Sequence, residues 1–257
     1  MADWVEFAHV DGFAFDTARL KRNWAKLHTG DAEPLPSNPQ VLAAWALFHS
    51  GRFKEAVVTA MDAGPLGYSV VNKATCVYAS FLEPSEKNRQ VLFLDVARRA
   101  ADQCATEPDN ASAYYWYGYA LGRYSQGISV AKALAQGIGG KVKTALEKAI
   151  ALRPCHGDAH VALAAFHAEV IDKVGALIGN MTYGARKDTS LALFAKALSL
   201  CPKSPYVLIE AAHGRLMLEG ERQAETVQAM YAQALRMKPR DAQEMLLLEL
   251  TRDELTQ

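Results

Sequence analysis

The 257-residue sequence predicts an all-α solenoid of antiparallel helix pairs, and three observations carry that prediction. A large residue, an alanine three positions later and a proline five beyond it recur as Leu146, Ala149, Pro154, then Phe194, Ala197, Pro202, then Tyr231, Ala234, Pro239. Each of these prolines, and Pro108 before them, is followed by a polar turn; after the first three, a second amphipathic stretch begins. No segment sustains the β-branched alternation of a strand. Small alanines let two helices approach closely, and proline, which lacks an N–H, ends one helix and opens the next turn.

Taken in chain order, DTARLKRNWAKLHTG predicts a short helix capped by Asp16 and stopped at Gly30, followed by the proline-rich DAEPLPSNP. NPQVLAAWALFHSGRFKEAVVTAMDAG predicts a first helix pair that turns at Gly51–Ala56, and residues 66–108 a degenerate second pair. Asn110, Asp158 and Ser204 are placed to cap the helices after the next three prolines, because their side-chain oxygens accept unpaired first-turn N–H groups. In the aromatic run from Tyr114 to Tyr119, Tyr114, Tyr117 and Leu121 fall on packing positions. The closing RDAQEMLLLELTRDELTQ carries an apolar stripe of Leu246, Leu247 and Leu250 with Met245 beside it. Such a stripe suits a terminal cap; its other use is a homodimer helix.

These residues resemble the tetratricopeptide repeat family, whose unit of about 34 residues is a helix–turn–helix with small and aromatic residues at fixed offsets. Tyr114, Tyr117, Gly118, Leu121, Leu146, Ala149 and Pro154 match it in the third unit, and His160, Leu163, Ala164, His167, Phe194, Ala197 and Pro202 in the fourth. Leu208, Ala211, Ala212, Tyr231, Ala234 and Pro239 match in the fifth, and Ala43, Ala44, Leu47, Gly51, Phe53 and Ala56 in the first. The resemblance implies a right-handed superhelix over residues 37–240, with a capping extension at 1–36 and a capping helix at 241–257.

The prolines at 108, 154 and 202 lie 46 and 48 residues apart, whereas Pro239 follows after 37. The central repeats are therefore enlarged, by GRYSQGISVAKALAQGIGG and IDKVGALIGNMTYGARKD between their two helices. Both insertions read as the ends of overlong first helices with an extended connection, and should lie side by side on one edge of the solenoid. The long-repeat layout resembles the T component of TRAP-type transport systems and the regulator-of-microtubule-dynamics family.

Composition and motifs restrict function. Lys+Arg and Asp+Glu both number 28, so the chain has no basic surplus for nucleic acid or an anionic membrane. No apolar run reaches the roughly 18 residues of a membrane span. Met1-Ala2-Asp3-Trp4 opens without a signal-like stretch, and Cys76, Cys104, Cys155 and Cys201 are scattered, so a cytoplasmic location with reduced thiols is expected. The glycines of AQGIGGKVKTALEKAI suggest a phosphate loop, but Gly140-Lys141 is followed by Val142 and the glycine five places earlier is missing. The related Gly179–Gly184 stretch lacks the lysine. Cys155, His156, His160 and His167 form a loose cluster that does not meet a zinc pattern, and the histidines fall on structural positions. No nucleophile motif and no cofactor motif stands out, so a non-enzyme without metal or cofactor is expected.

By analogy with the repeat family, a concave groove is expected to present Trp45, Phe48, Tyr115, Tyr119, Arg123, Glu169 and His213. An aromatic and apolar floor with a few charges suits a protein or peptide segment as partner. The alternative is a small apolar ligand, carried in a cavity that the insertions close.

Overall fold

The computed structural model describes residues 4–256; Met1, Ala2 and Asp3 of the opening stretch, and Gln257, lie outside the described residues. Among the described residues the chain is helical, with no strand. A short helix α1 (Thr17–Leu27) precedes the first pair, α2 (Pro39–His49) and α3 (Phe53–Met61), and the second, α4 (Tyr68–Phe81) and α5 (Glu86–Thr106). The third repeat holds α6 (Ala111–Gln126), α7 (Val130–Ala135) and α8 (Ile138–Leu152). The fourth holds α9 (Gly157–Val174), α10 (Ala176–Tyr183) and α11 (Lys187–Leu200). The fifth pair is α12 (Pro205–Glu219) and α13 (Ala224–Leu235), followed by α14 (Ala242–Thr256).

The pairs form where the sequence places them, α2 on α3, α4 on α5, α6 on α8, α9 on α11 and α12 on α13. The repeated alanines sit at the contacts: Ala149, Ala197 and Ala234 are fully buried. First helices also touch one another along the array, α2 with α4, α4 with α6, α6 with α9 and α9 with α12. Among the described residues, second helices make no comparable contacts, so the first helices form the tighter, inner side of a helical solenoid.

Several local details differ from expectation. Asp16, Asn110 and Ser204 cap α1, α6 and α12 as their side chains allow, but α9 is capped by His156, whose Nδ1 accepts from the Ala159 N–H. Asp158 instead lies inside the first turn of α9. In α6 the deeply buried rings are Tyr115, Trp116 and Tyr124, while Tyr114 and Tyr117 are only half-buried, because the helix is packed on more than one side. The insertions are not prolonged first helices. α6 stops at Gln126 and α9 at Val174, and each insertion folds into its own short helix, α7 or α10. Gly137 (φ 62°) and Gly175 (φ 82°) adopt left-handed backbone at the starts of α8 and α10, where a side chain would be strained. Gly139 and Gly140 lie within α8 rather than ending the helix before it. The Tyr183 ring of α10 rests against Gly139, which joins the two insertions along one edge.

Both ends of the chain turn inward. α14 packs on α12 and α13 at one end of the array, and also on α2 and α4 at the other. Leu248 and Leu247 enter the core of the fifth repeat, and Leu246 enters that of the first. The apolar stripe that could have served a homodimer is thus largely covered within the chain, although Leu250 stays 41% exposed. The segment after α1 crosses the turns between repeats: the Asp158 N–H donates to the Gly30 carbonyl at 3.0 Å, Arg153 donates to the Ala32 carbonyl, and Arg240 donates to the Lys26 carbonyl at 2.6 Å.

Candidate functional site

Because α14 occupies part of the inner face, what remains there is a cavity of about 450 Å³. Three successive first helices give it side chains four residues apart, on one face of each helix: Tyr119 and Arg123 from α6, Ala165 and Glu169 from α9, Tyr206 and Glu210 from α12. α14 adds Leu247, Leu250 and Glu254. The insertions supply much of the remaining wall, with Val130 and Leu134 of α7 and Ile178, Thr182 and Tyr183 of α10. Val130, Leu134 and Ile178 are also exposed large apolar residues, so they form an apolar rim.

Tyr119, Arg123, Glu169 and His213 of the expected groove line this cavity; Trp45, Phe48 and Tyr115 do not. Trp45 is covered by α1 and the residue after it, with Trp24 edge-on at 5.8 Å and His28 at 4.7 Å, while Phe48 is fully buried among Trp45, His49 and Phe53. Tyr115 packs on Trp116 and on the His156 ring, each 4.7 Å away. Sequence reasoning missed Tyr206, Glu210 and the α14 side chains. Glu210 had a signal, as the lone acid within the apolar stretch YVLIEAAHG; α14 had none, since nothing local says which face it covers.

The cavity is amphipathic. Ile138, Val142, Ile209 and Leu247 form apolar wall, and the charges gather where α6, α9 and α12 meet. Gln126 donates to Glu169 at 2.8 Å, bridging α6 and α9. Burial raises the Glu169 carboxyl above its ordinary value. Arg123 lies 6.0 Å from the Tyr119 ring centre.

A second polar assembly is sealed beside Trp45. Lys73 donates to Asp31 at 2.6 Å, His28 Nδ1 meets Asp31 at 3.0 Å, the two Nε2 atoms of His28 and His49 lie 3.2 Å apart, and His49 Nδ1 meets Asp241 at 2.6 Å. Burial works to raise Asp31, but His28 and Lys73 outweigh it and hold the carboxyl well below the usual range. Burial lowers His28 to about 4. Glu33, bonded to Ser112, and Asp158 are both raised to about 7, first by burial and then by the charge of Asp31. The assembly ties the segment after α1 to α2, α4 and the start of α14; it offers no open face to a substrate.

Among the described residues no three His, Cys, Asp or Glu side chains converge as a metal site. His156 serves as the α9 cap, His160 Nε2 contacts the Pro154 carbonyl and His167 Nδ1 accepts from the Arg186 N–H, while Cys155 is exposed. No helix of the described residues is long and apolar enough to cross a membrane.

Paired helices, an inner face built from first helices and a terminal helix laid across it define a helical-repeat solenoid of tetratricopeptide-like architecture. A solved structure of a thermophilic tetratricopeptide-repeat protein from Thermus thermophilus is similar to it, with a TM-score of 0.59 and 16% identity over 83% of this chain and 97% of that one. That likeness concerns the fold. No protein-family model matches the chain, and no curated protein matches it.

Proposed function

We propose that this chain is a non-catalytic carrier that holds a small amphipathic molecule in the cavity between α6, α9, α12 and α14. The single observation behind this reading is that α14 lies where a solenoid of this kind would admit a peptide, leaving a part-open space of about 450 Å³ in place of a continuous groove. That volume lies within the range of small-ligand sites, and the apolar wall with a few polar groups matches their composition. The layout's resemblance to a transport-system component agrees with a carrying role.

A second reading, docking of a protein segment, rests on α10, where Leu177 and Met181 are 74% and 80% exposed. Exposed apolar residues gathered on one short helix favour a partner. The two readings separate by thermal shift. Amphiphiles of eight to twelve carbons (a range set for the screen) should raise Tm and compete with one another for a single site. If none raises Tm while capture of a protein partner is lost in Leu177→Asp/Met181→Asp, the carrier reading fails.

A further inference from the structure

The charges in the cavity specify more than an apolar guest. Among the described residues Arg123, on the wall, forms no ion pair or hydrogen bond; its contact is with the Tyr119 ring. Glu210, on α12, likewise forms no ion pair or hydrogen bond among the described residues. The two are near enough to influence each other electrostatically, and Glu169 adds to the same field. Two unpaired opposite charges that line one cavity leave each with unused bonding capacity. A guanidinium offers a planar fork to a carboxylate, while a glutamate beside aromatic rings suits an ammonium.

Other ligand classes fit less well. A simple fatty acid would satisfy Arg123 but add a carboxylate to a lining that already holds Glu169, Glu210 and Glu254 against Arg123 and Lys173. A simple amine would satisfy Glu210 but face the Arg123 guanidinium. A neutral lipid would leave both unpaired. We propose that the ligand of this cavity is zwitterionic at its head and apolar in its body, of the class of an α-amino acid with a long apolar side chain: its carboxylate on Arg123, its ammonium on Glu210, its chain along Ile209, Val142 and Leu247. This rests on the carrier reading and narrows it to one head-group chemistry.

Calorimetric titration of the full chain at pH 7 with four eight-carbon probes, 2-aminooctanoate, octanoate, octylamine and octanol, tests it. The zwitterion is expected to bind at least about tenfold more tightly than either singly charged probe, a difference of ~1.4 kcal/mol. Arg123→Gln should abolish its advantage over octylamine, and Glu210→Gln its advantage over octanoate, with helicity and Tm checked for each variant. Octanoate or octylamine binding as tightly as 2-aminooctanoate overturns the head-group inference. Octanol binding equally well overturns it too, since cavity water would then suffice for the charges, but leaves the carrier reading standing. If no probe binds, the carrier reading falls with it.

Discussion

Lys73 of α4 donates to Asp31, in the segment after α1, at 2.6 Å, and both side chains are almost wholly removed from solvent. The contact spans 42 positions in the chain and joins the N-terminal segment to the second repeat. Removing one partner strands a buried charge, which typically costs ~3–5 kcal/mol. Lys73→Met should therefore lower stability by about that amount in denaturant titration, and Lys73→Met/Asp31→Asn should recover part of the loss. Loss below about 1 kcal/mol in the single variant would show that the pair does not hold the segment.

Glu33 and Asp158 give the protein a pH signature. Both fold with carboxyls raised to about 7, from ordinary values of 4.5 and 3.8, so the folded chain keeps protons that the unfolded chain releases across that interval. Their contribution to stability is present at low pH and lost as pH rises through about 7. Glu33→Gln cannot ionise, and its amide oxygen can still accept from Ser112. It should gain on the order of 2–3 kcal/mol over the parent at pH 8 and little at pH 4. Tm measured from pH 4 to 8 checks the trend.

His28 and His156 act in the opposite sense. Burial lowers both to about 4 from 6.5, so the unfolded chain binds protons first as pH falls, and stability is lost between about 6.5 and 4. His156→Gln, which can still accept from the Ala159 N–H, should flatten the acid limb of the Tm profile. An unchanged limb would contradict the burial account.

Tyr115 and Tyr119, one turn apart on α6, should separate core from cavity. Tyr115→Ala empties a core position and should cost ~3–5 kcal/mol. Tyr119→Ala trims the cavity wall, and should cost less while weakening ligand binding. Denaturant midpoints beside calorimetry distinguish the two, and equal destabilisation would deny Tyr119 a place in the cavity wall.

Gly214 of α12 lies against the Phe194 ring, where an added Cβ would sit 2.2 Å from a ring carbon. Gly214→Ala must push a fully buried ring aside, at ~1–3 kcal/mol. A neutral result in chemical denaturation would show that α11 and α12 can separate freely.

Helix pairing was legible because it is written locally: small alanines at the contacts, a proline after each of the later pairs and an oxygen-bearing cap at several starts, Asp16, Asn110 and Ser204 among them. Four cavity residues, Tyr119, Arg123, Glu169 and His213, were legible because a repeat sends equivalent positions to the same face. Trp45 and Phe48 occupy equivalent positions and yet are buried, Trp45 under Trp24 of α1, since an apolar face is covered by whatever apolar segment reaches it, and that choice is made at long range. The same holds for α14, whose leucines announce burial without saying where. Asp31, Glu33 and Asp158 gave no hint of burial, because each depends on partners such as Lys73 and Ser112 that are distant in sequence.

The central claim is that the inner face, partly covered by α14, keeps a ligand cavity between α6, α9, α12 and α14, and filling that cavity tests it most directly. Ala165 of α9 lies on its wall. The measurement is calorimetric titration of 2-aminooctanoate and octanol into the parent chain and into Ala165→Phe, with circular dichroism confirming that both are folded. The account predicts saturable one-to-one binding of 2-aminooctanoate by the parent and at least a tenfold loss for whichever probe binds in Ala165→Phe. Equal binding by the two proteins would place the ligand elsewhere and contradict it.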